Sequence, residues 1–523
     1  MNESIDVHKV FAEYFKGCET LAYAVSSRLG EGNMCIDINE YASSSELIAE
    51  NPFFTDKESF LKQTEEGDYV TYIISDDVLK PFIIHNGKAY LQRYFRYETD
   101  MIRHIKRLKD NFHIITGGPG SGKTYSVSMK LIDLCKNGRD LKVALAAPTG
   151  KAAVRMNESI KKFVRENEKS ITPGVRDLLT GLEAQTVHRL LGYRINSVFF
   201  AYNEKNKLPY DVVIVDECSM VDGAMMTKLL EAVSDSSVLY LIGDRDQLAS
   251  VEAGSVFGDL CRSEKTEVMN GKVETLEGSR RFTKDAGIWK ISQDIIGGKL
   301  NDITPYGGND QVTIDTEFSN DLFEKYALMY SDYILEDNVE EALKKLYRIR
   351  FLCVTRTDDQ SVAEYNKKIQ YFLSRKIEGF HPRSERFYHN QPIMITSNDY
   401  KLGIFNGDVG IVREKEIKGR KVMMASFETT DGKVREIQAG FLNHYQTVFA
   451  MTIHKSQGSE FENVVVVLPL RRGKKLLTRE LLYTGVTRAI KKVLIQSPPE
   501  VITECAGKSV MRASGLETRL LKE

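Results

Sequence analysis

From about residue 96 the chain alternates short β-branched or apolar runs with stretches of helical periodicity, the pattern of parallel strands joined by crossover helices. The runs are His113-Ile114-Ile115-Thr116, Val143-Ala144-Leu145-Ala146, Val212-Val213-Ile214-Val215, Val238 to Ile242, Phe351 to Val354, Val464 to Leu468 and Val493-Leu494-Ile495. Most read as strands covered on both faces, because they lack the polar alternation of a half-exposed sheet. Between about 390 and 447 the texture changes to alternating segments punctuated by Asn406-Gly407, Lys418-Gly419 and Asp431-Gly432. Such dipeptides favour tight hairpins, so this stretch predicts a small antiparallel β insert. It interrupts a second α/β unit, since strand-like runs lie on both sides of it. The stretch 155–185, rich in Lys, Glu and Arg, reads as a small helical excursion from the first unit. The expected division is 1–95, 96–285, 286–505 and a C-terminal tail, 506–523.

A length of 523 residues suits roughly three or four folded units. At 42% hydrophobic and 28% charged, with twelve prolines, the composition is that of a globular enzyme. No apolar run is long enough to span a bilayer, and the N-terminus is acidic and polar, so a membrane partner is not expected and a cytoplasmic location is. The seven cysteines are scattered with no CxxC pair, which argues against a zinc site or a disulfide framework and for reduced core residues. Net charge is −1, yet residues 1–95 carry sixteen acidic and eight basic side chains, leaving +7 on the remainder. An acidic head thus precedes a basic body. The head is a poor surface for DNA, fit either for docking a protein or only for solubility.

Gly117-Gly118-Pro119-Gly120-Ser121-Gly122-Lys123-Thr124 fits GxxxxGK[ST] and lies between a strand run and a helix carrying Val127, Leu131 and Leu134. Glycines let backbone N–H groups converge on the phosphates of ATP, Lys123 neutralises β/γ charge, and Thr124 can ligate Mg²⁺. The run Val212 to Val215 ends in Asp216-Glu217. Asp216 suits the Mg²⁺ shell, and Glu217 suits orienting or deprotonating the attacking water. Charge on the γ-phosphate also needs donors that can move, for which Gln247, Arg281 and Arg488 are candidates.

Read in order, these segments resemble the motifs of superfamily one helicases, and within them the RecD family, the α subunit of bacterial exonuclease V. The resemblance rests also on Ala147-Pro148-Thr149-Gly150-Lys151-Ala152-Ala153, Thr186-Val187-His188-Arg189-Leu190-Leu191-Gly192 and Gly243 to Val251. Further on it rests on Ser279-Arg280-Arg281-Phe282, Leu402 to Asp408, Met451 to Phe461 and Leu482 to Ala489. Tyr90 to Glu98 and the ending Arg512-Ala513-Ser514-Gly515-Leu516 look RecD-like in particular. The resemblance implies an α/β fold with two RecA-like P-loop NTPase domains, a small β-barrel insert and an N-terminal helical docking domain. It places Lys123, Thr124, Asp216, Glu217, Gln247, Arg281 and Arg488 in an ATPase site, with Glu460 near the nucleotide. It places Pro148, Thr149, His188, Asn406, Thr452 and His454 along a DNA strand.

The activity so implied is ATP-dependent 5′→3′ unwinding of single-stranded and end-containing double-stranded DNA, in a heterotrimer with RecB-like and RecC-like subunits, in the bacterial cytoplasm. No nuclease constellation stands out beside the ATPase carboxylates. A free-standing helicase of the same superfamily and an ATP-switched DNA-binding assembly subunit stay open as alternatives. Two departures stand against the family pattern: Asp100 to Leu108 holds no glutamine where relatives carry an adenine reader, and the N-terminal region is short. Tyr94, Phe95 and Tyr97, interleaved with Arg93 and Arg96, read as a seam between units, Trp289 as core, and 471–475 as a solvated loop.

Overall fold

The computed structural model describes residues 5–522 except 74–78, 136–140, 195–196, 198, 284–285, 301, 304–305, 307–308, 383–386, 400, 430–432, 472, 474 and 511. The expected turn at Asp431-Gly432, together with Arg472 and Lys474 of the basic loop, falls outside the described residues.

Six parallel strands form the first sheet, in the order Val273–Leu276, Phe112–Gly117, Val238–Gly243, Val212–Val215, Val143–Ala147 and Ala184–Thr186. Adjacent residues of one strand feed opposite cores, as strand geometry requires. Ile114, Val213 and Leu241 pack with Met101, Ile105 and Leu229 on one face. Ile115, Ile214 and Ile242 pack with Leu131, Met156 and Phe163 on the other. Helices therefore cover both faces, and the continuous apolar runs are explained. The helix expected as an excursion at 155–185 begins instead at Gly150 and runs to Glu166, capped by Thr149 Oγ1, which accepts from Ala152 N at 3.2 Å. Its Met156, Ile160 and Phe163 sit in the sheet's core, so it is one layer of this lobe, followed by a second helix, Pro173–Gly181.

A second parallel sheet runs Val312–Asp315, Ala489–Gln496, Phe461–Val467, Ile349–Cys353, Ala450–Thr452. Trp289 packs, partly buried, against the core around it. Five antiparallel strands are inserted before Ala450, in the order Val434–Gln438, Arg420–Glu428, Val409–Ile417, Gln391–Ile395, Tyr445–Thr447. The hairpin at Lys418-Gly419 has both central residues at positive φ, 52° and 72°, the mirror-image turn that matches strand twist. Closing a barrel would need Val434–Gln438 and Tyr445–Thr447 to exchange hydrogen bonds. Among the described residues these short edge strands do not pair, so the insert is an open sheet where a barrel was expected.

The N-terminal unit, expected to be helical, is mixed. Five short helices between Val7 and Gln63 pack with a four-stranded sheet, Ile36–Asp37, Lys88–Leu91, Phe82–His85, Val70–Thr71. The expected border at 95/96 falls inside the helix Gln92–Leu108, because Phe95 faces back onto Tyr90 and His85 while Met101 and Ile105 join the first lobe's core. Tyr94 and Tyr97 stack edge to face at 5.8 Å and pack on that same core. The expected tail is also a packed element. The helix Pro499–Gly507 crosses the border at 505/506, and the chain then returns to the first lobe, where Arg512 Nη1 donates to Ser250 O at 2.6 Å. The helix Leu516–Lys522 buries Leu516 and Leu520 in the first lobe's core, and Arg519 faces the buried Glu98 carboxylate at 3.7 Å. Lys475, expected in a solvated loop, is ion-paired to Glu31 and Glu50 of the acidic N-terminal unit at 3.2 and 2.7 Å. All seven cysteines are free thiols; six are buried and Cys135 is half-buried.

Truncating Leu516 to alanine removes a fully buried side chain, a change that costs about 2–5 kcal/mol in well-packed cores. We expect Leu516→Ala to lower the thermal unfolding midpoint followed by circular dichroism. An unchanged midpoint would mean that the C-terminal helix does not pack on the first lobe.

Candidate functional site

The C-terminal ends of the first sheet's strands carry the site, where open parallel sheets place their ligands. The strand Phe112–Gly117 leads through 118–122 into the helix Lys123–Cys135. Gly120 and Gly122 adopt φ of +72° and +90°. A Cβ on Gly120 would stand 2.6 Å from Arg281 Cβ and 2.7 Å from Ser279 Oγ, so glycine is required there twice over. Lys123 Nζ donates to the carbonyls of Gly117 and Gly118 at 2.6 and 3.0 Å. A cavity of about 590 Å³ opens over the loop, a volume typical of a small-ligand site.

Pro119 to Thr124, Asp216, Glu217, Gln247, Arg281, Glu460 and Arg488 all line that cavity; Gly117 and Gly118 lie outside its lining, their carbonyls taken by Lys123. Ser121 Oγ and Arg281 Nη1 are buried without a hydrogen-bond partner among the described residues. Orphaned polar atoms in a cavity call for a ligand rich in acceptors and suited to Arg, which a nucleotide's phosphates are.

Asp216 follows the last residue of Val212–Val215, and Oδ1 accepts from the Glu217 amide at 2.8 Å. Burial and the neighbouring Glu217 push its carboxyl up to about 6, against the pull of Lys123. Glu217 sits at φ 54°, ψ 39°, a left-handed conformation that costs a non-glycine residue strain of the kind found at working sites. Asp216 and the Thr124 hydroxyl offer hard oxygen ligands. Among the described residues no cluster of three His, Cys, Asp or Glu forms a closed metal site.

Two lobes meet over this cavity. Asp244 Oδ2 accepts from Gln247 Nε2 in its own lobe and from Tyr483 Oη in the other, both at 3.0 Å. Leu248 N donates to Thr484 Oγ1 at 3.0 Å, and Gln457 Nε2 donates to Leu248 O at 2.8 Å. Glu460, from the second lobe, meets Arg281 at 2.6 Å and is also paired with Arg155. Burial raises the Glu460 carboxyl, but Arg155, Arg281 and Arg488 outweigh it and hold it at about 2, so it stays ionised at any working pH. Arg488 is itself buried, donating to Thr484 O and Ser459 O, each at 3.2 Å. Sequence reasoning missed Arg155 and Tyr483. Both lay inside quoted or adjacent motifs, but nothing local marks which face of a helix will meet another lobe.

A second cavity, about 560 Å³, lies between the lobes and is lined by Thr149, Asn406, Thr452 and His454, four of the six residues expected along a strand. Lys151, Arg356 and Lys455 line it too, and no carboxylate does. Basic side chains along a groove suit a phosphate backbone, and burial beside Arg350 and Arg155 pushes the Lys151 ammonium well below its usual value. Pro148 and His188 lie outside this lining. His188 is exposed on the helix Val187–Leu190, with Tyr193 and Phe200 rings 6.4 and 6.0 Å away.

A family model described as an AAA domain matches residues 102–253, and one described as a UvrD-like helicase C-terminal domain matches 447–495. The chain is 36% identical over 425 residues to the RecBCD enzyme subunit RecD of Mycolicibacterium smegmatis, covering 79% of this chain and 73% of that protein. Identity to the RecBCD enzyme subunit RecD of Haemophilus influenzae is 32% over 467 residues, 78% of this chain and 70% of the relative. The ATP-dependent RecD2 DNA helicase of Deinococcus radiodurans is 30% identical over 376 residues, 72% of this chain and 45% of that one. Among solved structures, Bacteroides Pif1 bound to single-stranded DNA aligns with a TM-score of 0.40 at 16% identity, over 77% of this chain and 93% of that chain.

Parallel-sheet lobes, a phosphate loop at their junction and these relatives define an ATP-hydrolysing DNA helicase. Within that class the chain belongs to the RecD family.

Gly120→Ala would combine a strained φ with a collision at Arg281, about 1–3 kcal/mol of strain alone. Binding of a fluorescent ADP analogue should weaken at least about fivefold. Affinity equal to the parent's would show that the loop does not contact the ligand's phosphates.

Proposed function

We propose that this chain is the motor that moves 5′→3′ on single-stranded DNA and opens duplex ends in a RecBCD-type complex, acting in double-strand-break repair and recombination. The observation that carries this reading is the adjacency of two cavities at one seam, one built around a phosphate loop and the other lined by cations.

In the nucleotide cleft, Lys123 and the loop amides hold the β- and γ-phosphates of ATP, and Ser121 Oγ supplies a further donor. Thr124 and Asp216 hold Mg²⁺, which when bound neutralises phosphate charge and orients the leaving group. Glu217 orients the attacking water and accepts its proton. Gln247, Arg281 and Arg488 stabilise charge as the γ-phosphate departs. Because Arg281 comes from one lobe and Arg488 from the other, closure depends on the γ-phosphate, and hydrolysis relaxes it. Thr149, Asn406, Thr452 and His454 hold the strand whose grip alternates with that closure, with Pro148 and His188 at its approaches.

The N-terminal unit, through the strand Lys88–Leu91, acts as a docking unit, the two parallel-sheet lobes act as the RecA-like motor domains, and the chain after the helix Pro499–Gly507 ties the second lobe back to the first. Docking to a RecC-like subunit, beside a RecB-like one, is supported by the relatives' names and by Val7 and Val10 on the first helix and Tyr14 just after it, which are exposed apolar side chains. No helix of the described residues is long and apolar enough to cross a membrane, and the reading places the complex in the bacterial cytoplasm.

Phosphate release by the purified chain, with and without oligothymidylate, tests the proposal. Hydrolysis should rise with DNA, and Lys123→Gln should lower it about 10²–10³-fold, as loss of a key charge-stabilising donor does. A rate indifferent to DNA in the parent would falsify the motor reading.

A further inference from the structure

The wall separating the two cavities is built from two short segments, one per lobe. On the helix Gly150–Glu166, Lys151 lines the cationic groove and Arg155, one turn further on the same face, lines the nucleotide cleft. Opposite it, Gln457 and Ser459 line the groove while Glu460, the next residue, lines the cleft. Gly458 holds these pieces together. At φ +67° it lies against the helix N-terminus, where a Cβ would stand 3.5 Å from Ala152 Cβ and 3.7 Å from Thr149 Oγ1. Arg155 spans the junction with two prongs, Nη1 donating to Gly458 O at 3.1 Å and Nη2 pairing with Glu460.

We propose that Arg155, acting through Glu460 and the Gly458 carbonyl, is the positioning residue that makes the state of the nucleotide cleft felt in the strand groove. This rests on the helicase reading above and names the linkage within it. The physical basis is that Glu460 is shared. Its Oε1 accepts from Arg281 and its Oε2 meets Arg155. A γ-phosphate that draws Arg281 toward itself leaves Glu460 to Arg155, and a nearly buried carboxylate follows its remaining cation rather than lose it. Residues 457–460 are then drawn onto the helix that carries Arg155, whose first turn, capped by Thr149, forms the groove's other side. The same segment carries the Ser459 carbonyl that holds Arg488. One displacement thus reaches both cavities. A lysine at 155 supplies charge but cannot reach both partners with a planar fork.

The test is the nucleotide dependence of DNA affinity, since coupling between two sites is a ratio of dissociation constants and is reciprocal. Fluorescein-labelled oligothymidylate is titrated with the full chain by anisotropy, with and without a non-hydrolysable ATP analogue and Mg²⁺, for the parent, Arg155→Ala, Glu460→Ala and the double variant. In the parent the analogue should shift affinity about tenfold, within the usual range for coupled sites. Either single substitution should bring the shift to within about twofold of unity, and the double should do no more, the mark of one shared interaction. Arg155→Lys, carried alongside as the conservative change, should give an intermediate shift.

Singles that keep the parent's shift, a double that loses more than the worse single, or a parent that binds DNA with no nucleotide dependence would each overturn the linkage while leaving the helicase reading standing. A parent that binds no oligothymidylate removes the underlying reading, and this one with it.

Discussion

A carboxylate largely withdrawn from water between two lobes must keep cations around it, and Glu460 is that carboxylate here. It belongs to the second lobe, while Arg155 and Arg281 belong to the first, so the charges cannot be satisfied unless the lobes face each other in this register. The neighbouring contacts, Tyr483 to Asp244 and Gln457 to the Leu248 carbonyl, are neutral or singly charged hydrogen bonds that fix the same seam at modest net energy. The charged pairs and hydrogen bonds of the seam are the part that a polyanionic ligand can rearrange. Leu248 and Phe282 of the first lobe are buried in the second lobe's core, and the two sheets otherwise keep separate cores.

The C-terminal strap adds a second constraint. Leaving the second lobe after Gly507, it crosses to Ser250 through Arg512 and ends with Leu516 in the core of the first. The lobes are therefore joined twice by the chain, once near residue 286 and once by this return, and also through Lys475 to the acidic N-terminal unit. Relative motion is restricted to what these tethers permit, which favours opening of the cleft over separation of the bodies. Charge is divided in the same spirit. The acidic surplus lies in the N-terminal unit, partly matched by Lys475, and the groove between the lobes is lined by basic side chains.

Local rules made much of this legible in the sequence. The phosphate loop requires glycine at positive φ and a lysine at one spacing, so Pro119 to Thr124, which line the cavity, could be named from the sequence. Val212 to Val215 and Val238 to Ile242 had to be two-faced strands, and Lys418-Gly419 had to turn a hairpin. What stayed hidden depends on partners distant along the chain. Nothing near Leu516 says that its core is made by residues 100–260, and nothing near Arg155 says that Glu460 will face it. The border set at 95/96 failed because a change in composition does not stop a helix, and Gln92–Leu108 serves two cores with two stretches of one face. Thr149, Asn406, Thr452 and His454, which the resemblance sets along a strand, line one groove, but the resemblance could not say that His188 would lie apart from it.

The central claim, that hydrolysis at one cavity drives directed movement of a strand through the other, is tested most directly by real-time strand separation. A fluorophore–quencher duplex with a single-stranded overhang on its 5′ or its 3′ end is mixed with the chain and ATP, with partner subunits added in a second series. The account predicts ATP-dependent separation from the 5′ overhang and little from the 3′ overhang. Separation from the 3′ overhang alone would contradict the direction, and DNA binding without separation from either overhang, even with partners present, would contradict the motor itself.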